Sequence, residues 1–162
     1  MFGRLLLCLL VLLSFSFVTE AQLSKDKWAN TLVGTWLGKG FVMGDSVVYS
    51  AKIESVLSNE FICIHLRDTA NRPAYIADIY IGYDSVSRSY VCHWMDDSGA
   101  KNSTILGTGK KHGDKVDFQF EYPGSPMQTS ITVTDKGWAF QSIFVTARGV
   151  SQIFGRVVFV RQ

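Results

Sequence analysis

The feature that most restricts this chain is its punctuation. From Gly44 onward a turn signal interrupts it every dozen residues or so: Gly44-Asp45, Ser58-Asn59, then 68–73, 84–88, 97–99, 112–114, 123–126, 134–137 and 147–149. Glycine reaches the positive φ such turns need, and Asp, Asn and Ser bond back to their own backbone. Gly44-Asp45 fits a two-residue hairpin, and Asp135-Lys-Gly137 fits a three-residue one with glycine in the left-handed position. The segments between turns alternate. In Val116-Asp-Phe-Gln-Phe-Glu-Tyr122 apolar residues take every second place, the period of a strand with one buried face. Ten strands are therefore expected, near 35–43, 46–57, 60–67, 74–83, 89–96, 102–111, 115–122, 128–134, 138–146 and 151–161. The one helical candidate is short, with Ser24 as N-cap, Asp26 in the first turn, and Trp28, Thr31 and Leu32 on one side.

Consecutive short strands joined by tight turns form an antiparallel meander. Left open, so large a sheet exposes two edges, and closure removes them. The expected fold is all-β: a single up-and-down antiparallel barrel of about ten strands, with the N-terminal helix capping one end. A two-sheet sandwich is the alternative, and it calls for longer crossovers than this chain offers. The stretch LVGTWLGKG (32–40) supports closure. With Trp36 inward, Gly38 and Gly40 also face inward, and the missing side chains let the first strand bend.

Residues 1–21 read as a secretory signal, with Arg4 before an apolar run that is shorter than the ~20 residues of a membrane span. The expectation is an exported protein, secreted or periplasmic, with one domain over 22–162 and no transmembrane segment. A formal net charge of +2 on 16 basic and 14 acidic residues is too balanced for a nucleic-acid partner. Lys110-Lys111 reads as a solvated hairpin end. Cys63 and Cys92 fall on strands with another between them, ~9–10 Å apart, beyond the ~7 Å reach of a disulfide. Two free thiols are expected. Asn102-Ser-Thr104 is a glycosylation sequon.

Gly34-Thr-Trp36, extended to G-x-W-x-G-x-G through Gly40, resembles the opening strand of the calycin group: lipocalins, fatty-acid-binding proteins and, most closely, nitrobindin-like barrels. The resemblance implies that Arg161 on the last strand packs over Trp36. Gly82-Tyr-Asp84 with Tyr90, Trp94 and Asp96 is similar to a family of mostly bacterial lipocalin-like domains of unknown function. Together these matches run from about Leu32 to Arg161. Nitrobindin-like proteins hold haem through a late histidine, whereas the histidines here are His65, His93 and His112. Haem is not carried over.

No G-x-S-x-G, HExxH, phosphate-cradling or CxxC motif is present, so no catalytic residue is assigned and enzymatic activity is disfavoured. Asp96 and Asp97 point to opposite faces, and Asp84 reads as an acceptor for turn N–H groups. Cys63 and His65 share a face. With Cys92 they would make a soft-metal or haem site if both strands turned those faces inward. Ordinary buried cysteines are the competing reading, and no cofactor or metal is expected.

Strand number carries the functional expectation, because a ten-stranded barrel leaves room beyond its side chains. The expected lining for a small hydrophobic ligand is Trp36, Tyr49, Tyr90, Trp94, Phe118, Phe120, Trp138 and Phe140, with His65, Arg67 and Arg156 as polar anchors. A carrier or sensor follows. The alternative is a structural barrel with a filled interior. If Cys63 and His65 are inside, Ile62, Ile64 and Leu66 form an exposed stripe suited to a homodimer.

Overall fold

The structure is a computed structural model and describes residues 22–162 apart from 71, 147 and 148; the expected signal segment lies outside the described residues. Ten strands run in order: β1 (Gly34–Val42), β2 (Asp45–Val56), β3 (Phe61–Asp68), β4 (Ile76–Asp84), β5 (Ser89–Asp96), β6 (Leu106–His112), β7 (Lys115–Phe120), β8 (Met127–Thr134), β9 (Gly137–Val145) and β10 (Ser151–Arg161). Each pairs antiparallel with its sequence neighbours. β1 also pairs with β10, from Trp36 opposite Arg161 to Val42 opposite Gly155, and so closes the barrel. The sandwich alternative is excluded. No helix among the described residues is long and apolar enough to cross a membrane.

Local details depart from expectation in four places. The first hairpin turns on Met43-Gly44, φ 53° and 90°, one residue earlier than expected, with Val42 opposite Asp45. Two positive φ values match the right-handed twist of the flanking strands. The turn after β8 is the two-residue Asp135-Lys136, because Thr134 already pairs with Gly137. β6 starts at Leu106 rather than near 102, since Ala100–Ser103 forms a 3-10 turn that carries the exposed Asn102. The N-cap is Asp26, not Ser24: a 3-10 turn over Gln22–Lys25 precedes helix α1 (Lys27–Leu32), and Asp26 accepts from the Trp28 N–H at 2.9 Å.

Asp26 also ties the cap to the barrel rim. It accepts from the Tyr90 hydroxyl and pairs with Lys111 Nζ at 2.6 Å. Burial opposes its ionisation, but Lys111, Tyr90 and the Trp28 N–H outweigh it and hold the carboxyl below its usual range. A depressed folded pKa stabilises above the unfolded value of about 3.9, and the contribution fades as pH falls through the folded value. Asp26→Ala is expected to cost ~2 kcal/mol at neutral pH. Denaturant unfolding of both proteins should show that gap closing below pH ~4.

The interior is divided along its axis. At the helix end, Trp138 and Phe159 stack with centroids 3.8 Å apart, Trp36 meets Trp138 edge-on at 6.5 Å, and Leu32, Phe118 and Ile131 are fully buried around them. Trp36 Nε1 donates to the Leu32 carbonyl at 2.7 Å. The Arg161 guanidinium lies 4.4 Å from the Trp36 ring and donates to the Thr31 and Val33 carbonyls. The tryptophan–arginine clasp thus closes the barrel bottom as the calycin resemblance implies. Inward glycines accept the rings: a Cβ on Gly38 would strike Phe159, and one on Gly109 would strike Phe118. The glycines of the first strand therefore make room for aromatic packing as well as for bending.

Candidate functional site

The opposite end is hollow. A cavity of about 530 Å³ opens between the β1–β2, β3–β4, β5–β6 and β7–β8 connections. That is within the ~300–1,000 Å³ of small-molecule sites. Phe140 meets Trp94 edge-on at 6.1 Å, and Phe120 stacks on Tyr122 at 5.9 Å; with Tyr49, Tyr75 and Phe154 they give an aromatic lining. Strand alternation places them: Tyr90, Cys92, Trp94 and Asp96 of β5 share one parity, as do Val116, Phe118 and Phe120 of β7.

The polar groups in this cavity are acidic or neutral. Tyr75 OH donates to Asp96 Oδ2 at 2.8 Å and accepts from Trp94 Nε1 at 2.9 Å, while Ser98 N–H donates to Asp96 Oδ1 at 3.0 Å. Asp68, at 3 % exposure, accepts from the Ala70 N–H. Thr129 and Ser142 hydrogen-bond across the wall at 2.9 Å. Burial and then the Asp68 charge push the Tyr49 phenol up to about 12, and burial raises Tyr75 further. Both phenols stay protonated donors at neutral pH. Among the described residues lining the cavity there is no Lys, Arg or His.

The expected lining divides accordingly. Tyr49, Trp94, Phe120 and Phe140 border the cavity; Trp36, Phe118 and Trp138 face inward but belong to the packed end, and Tyr90 reaches Asp26 at the cap. The expected anchors are corrected. His65, Arg67 and Arg156 all point outward, because the opposite parity of β3 buries Ile62, Ile64 and Leu66, and that of β10 buries Val157 and Phe159. The exposed aliphatic stripe offered for a homodimer therefore does not exist. Cys63 lies on the outer side of β3 and Cys92 on the inner side of β5, so Cys63, His65 and Cys92 do not converge. Both thiols are free. His93 bonds the Ser103 carbonyl and His112 is exposed, so none of the three histidines faces the cavity.

Sequence reasoning missed Tyr75, Asp68 and Asp96 as cavity residues. The signal for Asp96 was present, two positions beyond Trp94 on the same face. Asp84 behaves as read, accepting from the Val86 and Ser87 N–H groups.

A second cleft of about 410 Å³ lies at the capped end, bordered by Lys25, Asp26, Tyr83, Arg88, Tyr90, Lys110 and Lys111. Its polar groups already serve the fold: Lys111 and Tyr90 hold Asp26, and Lys110 donates to the Arg88 carbonyl at 3.3 Å. The hollow end is the better site because it is larger and mostly apolar.

No protein-family model matches the chain, and a search of curated proteins returns no relative.

Proposed function

We propose that this is an exported calycin-like binding protein, a carrier or sensor, whose open end takes a small apolar molecule bearing a cationic or hydrogen-bond-donating group. The observation that carries the reading is the pairing of an aromatic wall with acidic anchors in a cavity of about 530 Å³. Aromatic faces attract cations, and a carboxylate in a partly desolvated wall favours a positive or donor group and repels another carboxylate. A ligand burying ~300 Å² of apolar area gains ~7 kcal/mol from that burial alone. Asp96 and the phenols then decide which head group is accepted.

Displacement of an apolar fluorescent dye by decylamine and by decanoic acid tests this directly. Decylamine is expected to compete at least tenfold better. Asp96→Asn should remove most of that preference, about tenfold or 1.4 kcal/mol, while dye affinity changes little. No dye binding would leave the filled-barrel reading in its place, and equal competition by both compounds would overturn the role given to the acidic anchors. Decylamine preference that survives Asp96→Asn would move the anchor to another group.

A further inference from the structure

A second constellation lies on the outer wall of the barrel. Cys63 and His65, two apart on β3, present their side chains on its outer side; Asp78 on β4 sits directly opposite His65, and Glu54 on β2 directly opposite Cys63. His65 Nδ1 is 2.7 Å from Asp78 Oδ1 and 3.8 Å from Cys63 Sγ, and His65 Nε2 is 3.2 Å from Glu54 Oε1. The three donor atoms of Cys63, His65 and Asp78 lie within 4.8 Å of one another. We propose that Cys63, His65 and Asp78 bind one divalent metal ion of the zinc class, with Glu54 orienting the imidazole.

Donor chemistry selects the ion. One thiolate, one imidazole and one carboxylate suit zinc, while an all-oxygen ion such as calcium or magnesium has no use for the sulfur. Donors placed 2.0–2.3 Å from a tetrahedral metal are roughly 3.2–3.8 Å from each other. The Cys63–His65 separation already matches, and the His65–Asp78 pair must open by only about half an ångström, which suits side chains at the surface. Asp78 is 47 % exposed and His65 38 %, so the ion enters from solvent onto a floor made by the fully buried Cys63.

The outer shell is also in place. Ligating histidines commonly donate their other N–H to a carboxylate, and Glu54 takes that position at Nε2, itself held by Lys52 at 2.6 Å. The 2.7 Å contact between Nδ1 and the Asp78 carboxylate is a hydrogen bond in the metal-free protein, and a metal would take the place of its proton. Metal binding releases the thiol proton to solvent as the sulfur–metal bond forms. This site is on the far side of the wall from the cavity, and its test does not depend on what the cavity holds.

Titration of the full chain with Co²⁺, followed by displacement with Zn²⁺, decides the matter. Expected are one equivalent of Co²⁺, a thiolate-to-cobalt charge-transfer band, and loss of that band on adding Zn²⁺. Cys63→Ser abolishes the band; His65→Ala and Asp78→Asn weaken binding at least tenfold, and Glu54→Gln does so less severely. Cys92→Ser and His112→Ala leave the titration unchanged. Because a variant at a buried cysteine can misfold, the wild-type protein gives a separate readout: Zn²⁺ should raise its unfolding midpoint in denaturant, as a ligand held by the folded chain must. Absence of the band in the wild-type protein, its survival in Cys63→Ser, or its loss only in Cys92→Ser overturns the proposal.

Discussion

Trp36→Ala is expected to lower the unfolding free energy by ~4 kcal/mol, the upper range for truncating a buried aromatic. The indole has three separate tasks. Its N–H satisfies the Leu32 carbonyl, so its loss strands the last turn of α1. Its face carries the Arg161 guanidinium, which in turn bridges to the Thr31 and Val33 carbonyls. Its edge meets Trp138, itself stacked on Phe159. Trp36→Phe keeps apolar volume but loses the hydrogen bond, and should fall between the two. Denaturant unfolding of the three proteins checks the order. A loss near 1 kcal/mol for the alanine variant would mean that the stoppered end can collapse around the gap.

Gly40→Ala should cost ~3 kcal/mol or more, a large effect for one methyl group. Its Cβ would stand 1.9 Å from the Arg156 carbonyl oxygen and 2.8 Å from the Val157 Cα, both backbone atoms of the partner strand at the closing seam. Backbone cannot swing aside as a side chain can, so β1 and β10 must part. Gly44→Ala is the internal comparison. That residue sits at φ +90° with nothing within 4 Å of its would-be Cβ, so it meets conformational strain alone, ~1 kcal/mol. If the two variants unfold at the same denaturant concentration, β1 and β10 part at the seam at little cost.

The architecture was legible because turn chemistry and strand alternation are local signals, each readable within a dozen residues. Strand facing was harder wherever both parities carry apolar side chains. In Phe61-Ile-Cys-Ile-His-Leu66 either set could be the inner one, and assigning Cys63 and His65 inward left three aliphatics in water. Cross-strand chemistry resolves it: His65 stands between Lys52 and Asp78, charged neighbours that belong outside. For Arg156 the answer lay in Arg161. They are five positions apart, an odd offset, so an arginine clasping Trp36 from within obliges the other to face out. Tyr75 was not recoverable as a cavity residue, since it lies in the β3–β4 connection, where period two no longer applies.

The aromatic clasp that stoppers the cylinder and the surfaces that would greet a guest occupy opposite poles. Substitutions around the mouth can therefore change its lining without loosening the clasp that keeps the staves together. A lineage built on this plan is free to vary its mouth at little risk to its girth.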